Sequence, residues 1–350
     1  MIRALHFSPF LQLTGANRSM LTLVGAQDGA AVVTLEDGPL AAEARARGAR
    51  VFPVFDAGAR ERGKADRFAR TVATLVRAAR QTGAQVVHTH SAMGVRYALP
   101  AARIARLPLV AHQRDNWARD RFHLGLGFAD RIVAIADWVR RGLPPRLAAK
   151  ADVVHNAVAA PTELPPRRPG PVRIGMAGRC TPEKGQDLLV RACAALPGDV
   201  AFECHVWGLD DSAYAAELRR LAAAGPAGRF VFEPFRNDVD RFYEAMDVVV
   251  SPSRFEEPFG RTAIEGMAWG KAVVAAGHGG LVEIVRDGED GLLFAPGSAE
   301  ALAGALGRLL ADDALRTDLG RAGRRAAIER FSPETHAEAI ERTYRKVLSG

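Results

Sequence analysis

The sequence predicts an α/β protein of two domains, each a doubly wound parallel sheet. Three observations carry this expectation. Short β-rich runs alternate with longer helical patterns along the whole chain. A proline-rich stretch at 157–171 interrupts that alternation near the middle. The 350 residues exceed what one compact core usually holds and suit two domains of ordinary size.

In the first half, strands are expected at 2–8, 30–35, 50–55, 85–90, 109–112, 131–135 and 152–155. Between them lie helical stretches such as 64–81, rich in Ala, Arg and Leu. Apolar strands separated by helices indicate a parallel sheet covered on both faces. Such sheets bind ligands beyond the carboxyl ends of their strands. The interrupting stretch contains Pro161, Pro165, Pro166, Pro169 and Pro171 with little apolar periodicity, the composition of a linker. Strands then resume at 172–177, 201–207, 229–233, 248–251, 272–275 and 291–294, and two or three helices finish the chain from Ala299. The expected domains are 1–160 and 161–332, with a final helix at about 333–350 packing back on the first.

Hydrophobic residues at 48% and charged residues at 25% describe a soluble globular chain and exclude a disordered one. No apolar run approaches the roughly 20 residues that span a bilayer. The start, Met1 to Phe10, lacks a basic region and a long apolar core, so it reads as a first strand and not a signal peptide. Cys180, Cys193 and Cys204 form no CxxC pair, which suits reduced thiols in a cytoplasmic protein. Charge is uneven: residues 1–165 carry 23 Lys+Arg and 13 Asp+Glu, a net of +10, against −3 for the remainder. That asymmetry fits an anionic partner, such as an acidic membrane at its inner face or an anionic saccharide, and it also fits solvated arginine-rich helices. The basic residues are scattered and few aromatics lie among them, which argues against nucleic acid.

Four segments carry candidate chemistry. Ala177-Gly178-Arg179-Cys180-Thr181-Pro182-Glu183-Lys184-Gly185 follows an apolar strand and precedes a helix. Gly178 lets the backbone approach a ligand, and Arg179 and Lys184 bring a fork and a point charge suited to a diphosphate. A basic surface turn would look similar. In the segment from Pro252 to Glu265, Glu257 lies in the loop before a helix and Glu265 lies just over a turn into it. Two such carboxylates accept hydrogen bonds from sugar and ribose hydroxyls, although Glu256 and Glu257 also read as loop surface charges. Gly277-His278-Gly279-Gly280 precedes Leu281-Val282-Glu283, and paired glycines opening a helix offer N–H groups and a positive dipole end to an anion. Thr14-Gly15-Ala16-Asn17-Arg18 follows the first strand without forming a GxGxxG fingerprint, which lowers the dehydrogenase reading. Asp238-Val239-Asp240 reads as a helix start, where aspartate caps and suits the dipole. His88-Thr89-His90 points two imidazoles to one strand face, and one such pair is not a zinc site.

In order and spacing, these segments resemble the retaining glycosyltransferase family 4, with the GT-B fold of two Rossmann-like domains facing a central cleft. The specific part is the C-terminal half: Gly178-Arg179…Glu183-Lys184-Gly185, the strand end Ser251-Pro252-Ser253, the Glu257…Glu265 pair and Gly279-Gly280…Glu283. The resemblance implies that Arg179 and Lys184 hold the donor diphosphate and stabilise it as leaving group. It implies that Glu265 binds the ribose, Glu257 faces the donor sugar, and Gly279 and Gly280 offer backbone donors. Gly15 would lie beside the diphosphate and the loop at Phe235–Asn237, with Arg236, near the base. Phe259 and Gly260 complete the donor set. His112 matches a histidine close to the donor sugar, and His90 and Arg114 are candidates for the acceptor side. Asn156 matches the family's Asn-Gly at the domain crossing, but Ala157 replaces the glycine. The implied activity is retaining transfer of a sugar from a UDP- or GDP-linked donor to a saccharide or lipid-linked acceptor, in envelope or exopolysaccharide synthesis. No metal or other cofactor is expected. The alternatives are a nucleotide-sugar epimerase of the same architecture and a non-catalytic nucleotide-sugar-binding relative.

Overall fold

The computed structural model describes residues 2–13, 15–56, 63–115, 123–225, 229–236 and 238–349. The chain divides into two compact units, Met1–Ala157 with Pro333–Gly350, and Val158–Ser332.

The first unit holds seven strands: β1 (Ala4–Ser8), β2 (Ala31–Glu36), β3 (Arg50–Phe55), β4 (Val86–Thr89), β5 (Leu109–Gln113), β6 (Arg131–Ala134) and β7 (Ala151–Val153). They form one sheet in the order β3-β2-β1-β4-β5-β6-β7, and every pairing is parallel. The central strands are buried throughout, as sequences such as VVHT and LVAHQ require when helices cover both faces. One face packs on helices Lys64–Thr82 and Val95–Ala105 through Leu5, Phe7, Leu75, Ala98 and Leu109. The long helix turns Leu75, Val76, Ala78 and Ala79 inward and ends at Gly83, whose φ of 60° lets the chain reverse. The other face packs on helix Gly15–Gly25 and on the last helix, Pro333–Leu348, through Leu23, Val86, Val110, Ile340 and Tyr344.

The second unit holds β8 (Val172–Ala177), β9 (Phe202–Leu209), β10 (Phe230–Pro234), β11 (Val248–Ser251), β12 (Ala272–Ala276) and β13 (Leu292–Phe294). Their order is β10-β9-β8-β11-β12-β13, again all parallel. Both units are therefore Rossmann-like. In each, the strand order reverses direction between two central strands: β1 and β4 in the first, β8 and β11 in the second. Ligands of such sheets sit at the carboxyl edge beside such a reversal.

The segment between β7 and β8 contains no helix or strand, in keeping with its prolines. The three cysteines are free thiols, all buried. Among the described residues, no helix is long and apolar enough to cross a membrane.

Candidate functional site

In the second unit the topology gathers the predicted donor residues at the switch point. The loops after β8, β11 and β12 carry the three motifs, and these strands are neighbours. Lys184 closes a short turn, Pro182–Lys184, whose backbone is tied by Lys184 N–H to Thr181 O and by Arg254 N–H to Glu183 O. Its ammonium lies 2.6 Å from Glu257 Oε1 and 4.9 Å from the centre of the Phe255 ring. Ser253 donates to the same carboxylate oxygen at 2.6 Å. Arg179 is exposed at the mouth of this loop and its guanidinium pairs with no acid among the described residues. Its carbonyl accepts from the amide of buried Gln186 at 2.7 Å, which anchors the turn to the following helix.

Three glycines permit the close approach of these loops. Gly185 has φ 75°, and a Cβ there would overlap the Pro252 carbonyl. Gly279 has φ 59°, and its Cβ would lie 2.7 Å from Glu257 O. Gly280 donates its N–H to Glu257 O at 2.7 Å. This corrects the expectation that both glycine N–H groups are open to a ligand: the Gly280 donor instead fixes the backbone of Glu257. The helix these glycines open, Leu281–Ile284, has four residues, so its dipole is small.

Glu265 sits in helix Arg261–Ala268, clamped on both oxygens. Tyr243 donates to Oε2 at 2.6 Å and Arg261 pairs with Oε1 at 2.5 Å. Burial, and then the Glu265 carboxylate, push the Tyr243 phenol well above its ordinary pKa, so it stays a donor. The remaining predicted donor residues are more dispersed. Phe259 is 3% exposed with its ring against Phe331, so it is a core side chain. Gly260, with φ 105°, starts the helix of Glu265. Arg236 bonds Glu233 at 3.0 Å and lies over the Trp207 ring beside exposed Phe235, while Asn237 lies outside the described residues. The DxD segment supplies no cap: Val239 is the N-cap, Asp238 pairs with Arg241 and Asp240 stands in the first turn. The expected aspartate cap is corrected, because the chain enters this helix at Val239 in helical conformation with no side-chain cap hydrogen bond, while Asp240 in the first turn still suits the helix dipole.

In the first unit, Gly15 is exposed at the start of its helix, and Thr14 lies outside the described residues. His90, Arg114 and His112 belong to a buried histidine network on the sheet face beneath the last helix. His6 of β1, His88 of β4, His90 and His112 are each at most 1% exposed. His6 Nδ1 meets His90 Nε2 at 3.0 Å, and His6 Nε2 meets Gln27 Oε1 at 2.8 Å. His88 Nδ1 meets the Tyr344 hydroxyl at 2.6 Å, and His88 Nε2 meets His112 Nδ1 at 2.8 Å. Arg114 donates to His90 O and His90 Nδ1 and to Asn156 Oδ1, which also accepts from Ser19. His6, His88 and His90 bring ligand nitrogens within 4.8 Å of one another, yet each of those nitrogens has a hydrogen-bond partner.

Burial holds these imidazoles neutral. It lowers His88, His90 and His112 well below the usual histidine value, and lowers His6 and, in the last helix, His336 to about 4. Neighbouring histidines and Arg114 add repulsion against His88, His90 and His112. The unfolded chain takes up these protons near pH 6.5 and the native one does not. Stability contributed here is therefore present above pH 6.5 and is lost as pH falls toward 4, by about 1.4 kcal/mol per pH unit for each histidine. Melting curves between pH 8 and pH 5 should show a steep fall below pH 6.5; a flat profile would contradict neutral burial.

Ser253 lay in a recognised segment without a role, and Tyr243, Arg261, His6, Gln27 and Tyr344 were not expected from sequence. Only the histidines left a signal: β1, β4 and β5 each carry one, at positions whose side chains share a face.

Comparison with known proteins bears on the family and the fold. Residues 165–326 match the family described as Glycosyl transferases group 1. Residues 13–160 match Glycosyltransferase Family 4. The lipopolysaccharide core biosynthesis glycosyltransferase LpsE of Rhizobium meliloti is 36% identical over 170 residues, 48% of this chain and 48% of that protein. The lipopolysaccharide core biosynthesis mannosyltransferase LpcC of Rhizobium leguminosarum bv. viciae is 33% identical over 215 residues, 60% of this chain and 59% of that protein. The chain thus spans about half the length of the curated relatives it matches. Among solved structures, Anabaena Alr3699/HepE in complex with UDP and glucose superposes with a TM-score of 0.81 at 23% identity, covering 99% of this chain and 100% of that one. That likeness speaks to the fold. With its two Rossmann-like sheets and the two matched profiles covering almost all its length, the chain belongs to glycosyltransferase family 4, group 1, and has the GT-B fold.

Proposed function

We propose that this protein is a retaining hexosyltransferase that moves a sugar from a UDP- or GDP-linked donor to a saccharide or lipid-linked acceptor. The second unit is the donor domain and the first the acceptor domain. The observation that carries the reading is the Lys184–Glu257–Ser253 constellation at the switch point of the second sheet, with exposed Arg179 beside it. When the bond between the anomeric carbon and the phosphate oxygen breaks, negative charge grows on the diphosphate. In this reading Arg179 and Lys184 supply two cations that stabilise that charge without a divalent ion. The acceptor oxygen forms its bond on the face the phosphate leaves, and its proton passes to the departing phosphate oxygen. Glu265, oriented by Tyr243 and Arg261, takes the ribose hydroxyls. The lipopolysaccharide-core relatives favour an envelope saccharide as acceptor, and the UDP and glucose in the solved HepE structure favour a nucleotide sugar as donor.

A thermal-shift series with UDP, GDP, ADP and their sugar conjugates tests this. A nucleotide that binds the native state at 100 times its Kd stabilises it by about 2.7 kcal/mol. One nucleotide should raise the melting temperature by several degrees and the others should not. No shift with any of them at millimolar concentration would remove the nucleotide-sugar reading.

The first unit also presents a surface suited to an anionic bilayer, at the cytoplasmic face of the membrane. Between helices Lys64–Thr82 and Val95–Ala105 runs an apolar groove lined by Phe68, Val72 and Ile104 and bordered by Arg77 and Arg80. Phe68 is 43% and Ile104 56% exposed. Apolar insertion with arginines at the headgroups is how peripheral helices hold acidic lipid. Sedimentation with anionic vesicles at low salt should exceed that with neutral ones, and Arg77→Glu with Arg80→Glu should abolish the difference. Equal binding to both vesicle types would exclude this surface.

A further inference from the structure

The Ser253–Arg254 peptide group ties three loops of the second unit together. It lies after β11, and its two polar atoms face opposite ways, as a trans peptide requires. Its N–H donates to Glu183 O, in the turn after β8, at 2.8 Å. Its C=O accepts from His278 Nε2, in the loop after β12, at 2.9 Å. A carbonyl has no proton to give, so His278 Nε2 must carry one. His278 thus clamps from one side the peptide that Glu183 clamps from the other. Ser253 is 2% exposed, and its hydroxyl donates to Glu257 Oε1 at 2.6 Å.

The result is an asymmetric carboxylate. Both donors that reach Glu257, the Ser253 hydroxyl and the Lys184 ammonium, fall on Oε1. Oε2 receives no hydrogen bond among the described residues and is not shielded from solvent. Glu265 is the contrast, with Tyr243 on one oxygen and Arg261 on the other. A carboxylate turns readily about its last bond, which would exchange its two oxygens. Two donors on one oxygen, one of them charged, oppose that turn. The β12 loop secures Glu257 twice: Gly280 N–H holds its carbonyl directly, and His278 holds its side chain by way of Ser253. Glu257 therefore offers one open oxygen in one direction.

We propose that His278 is a positioning residue: through Ser253 it fixes the Glu257 carboxylate so that Oε2 accepts from a hydroxyl of the donor sugar. The ligand part of this inference rests on the transferase reading above; the bond from His278 to Ser253 stands on the geometry alone. Because His278 acts through Glu257, its loss should register with the sugar and not with the nucleoside diphosphate.

The test measures transfer kinetics and affinity for UDP and GDP on the full chain. The variants are His278→Ala, His278→Gln, His278→Asn, Ser253→Ala and the double alanine variant. Glutamine carries its amide N–H as far from the backbone as Nε2, asparagine only as far as Nδ1. His278→Ala should lower kcat/KM for the nucleotide sugar about 10-fold, the usual effect of one hydrogen bond, with nucleoside-diphosphate affinity unchanged. His278→Gln should recover most of that loss and His278→Asn little of it. Ser253→Ala should lose a similar amount, and the double variant should be no worse than the worse single one. Losses that multiply to about 100-fold overturn the proposal, because the two residues then act independently. Equal rates in the Gln and Asn variants also overturn it, as does a fall in nucleoside-diphosphate affinity that matches the fall in transfer. In protein labelled with 15N-histidine, long-range 1H–15N spectra should show His278 protonated at Nε2, the signal being assigned by its loss in His278→Gln. A bare Nε2 overturns the proposal even where the alanine variants fail to fold. If the wild type transfers no sugar from any UDP- or GDP-linked donor, the transferase reading falls, and the spectrum still decides the bond to Ser253.

Discussion

Lys184→Ala is expected to lower sugar transfer about 10²–10³-fold, the usual consequence of removing one preorganised group that stabilises developing charge. It should do so with little change in melting temperature. Lys184 donates one side-chain ion pair to Glu257, at 2.6 Å, with side-chain exposures of 22% and 13%. Ion pairs this near to solvent contribute about 0–1 kcal/mol. The turn that carries Lys184 is held by backbone hydrogen bonds the substitution does not touch. Glu257 keeps its bond from Ser253 and its backbone bond to Gly280. The loss should therefore appear in kcat/KM and in weakened nucleoside-diphosphate affinity, with the fold intact. Lys184→Arg retains the charge but not the reach of a compact ammonium, so partial activity is expected. An alanine variant with wild-type kinetics would remove Lys184 from the diphosphate site and leave its pairing with Glu257 as a structural contact.

The strands of the second unit were legible because they are apolar runs bounded by Gly and Pro: the expected 172–177 and 248–251 are the observed Val172–Ala177 and Val248–Ser251. At the far edge of the first sheet the expected 152–155 is Ala151–Val153, because pairing ends where β6 ends, at Ala134 opposite Val153. Composition alone does not report where a neighbour stops. The candidate site was legible as motifs and not as contacts. That Lys184 would pair with Glu257, 73 positions away, depends on β8 and β11 lying side by side across the switch point. That Gly280 would bond Glu257 and not a ligand depends on how closely two loops pack. The histidine network was least legible, since it needs Tyr344 brought 256 positions back to His88 by the last helix. Local pattern reads local conformation; the chemistry here is set by long-range neighbours.

Gly185→Ala should be a strongly damaging single-methyl change in the second unit, lowering its stability by about 3 kcal/mol, or roughly 10 °C in melting temperature for a unit of this size. Two separate costs add. The residue sits at φ 75°, where a side chain meets its own backbone, a cost of about 1–2 kcal/mol. The new methyl would also overlap the Pro252 carbonyl, a backbone atom that cannot rotate away. Relief requires the β8 and β11 loops to part, and that separation would carry Lys184 away from Glu257, so donor binding should fall along with stability. Gly297→Ala separates the two costs. Gly297 has φ 79° with nothing within 4 Å of an added Cβ, so it should lose only about 1 kcal/mol and retain full activity. Melting curves and transfer rates for the two variants side by side measure the difference. Equal losses in both would mean that left-handed strain alone accounts for Gly185, and that the close contact between the two loops is not what holds the cationic turn against the carboxylate.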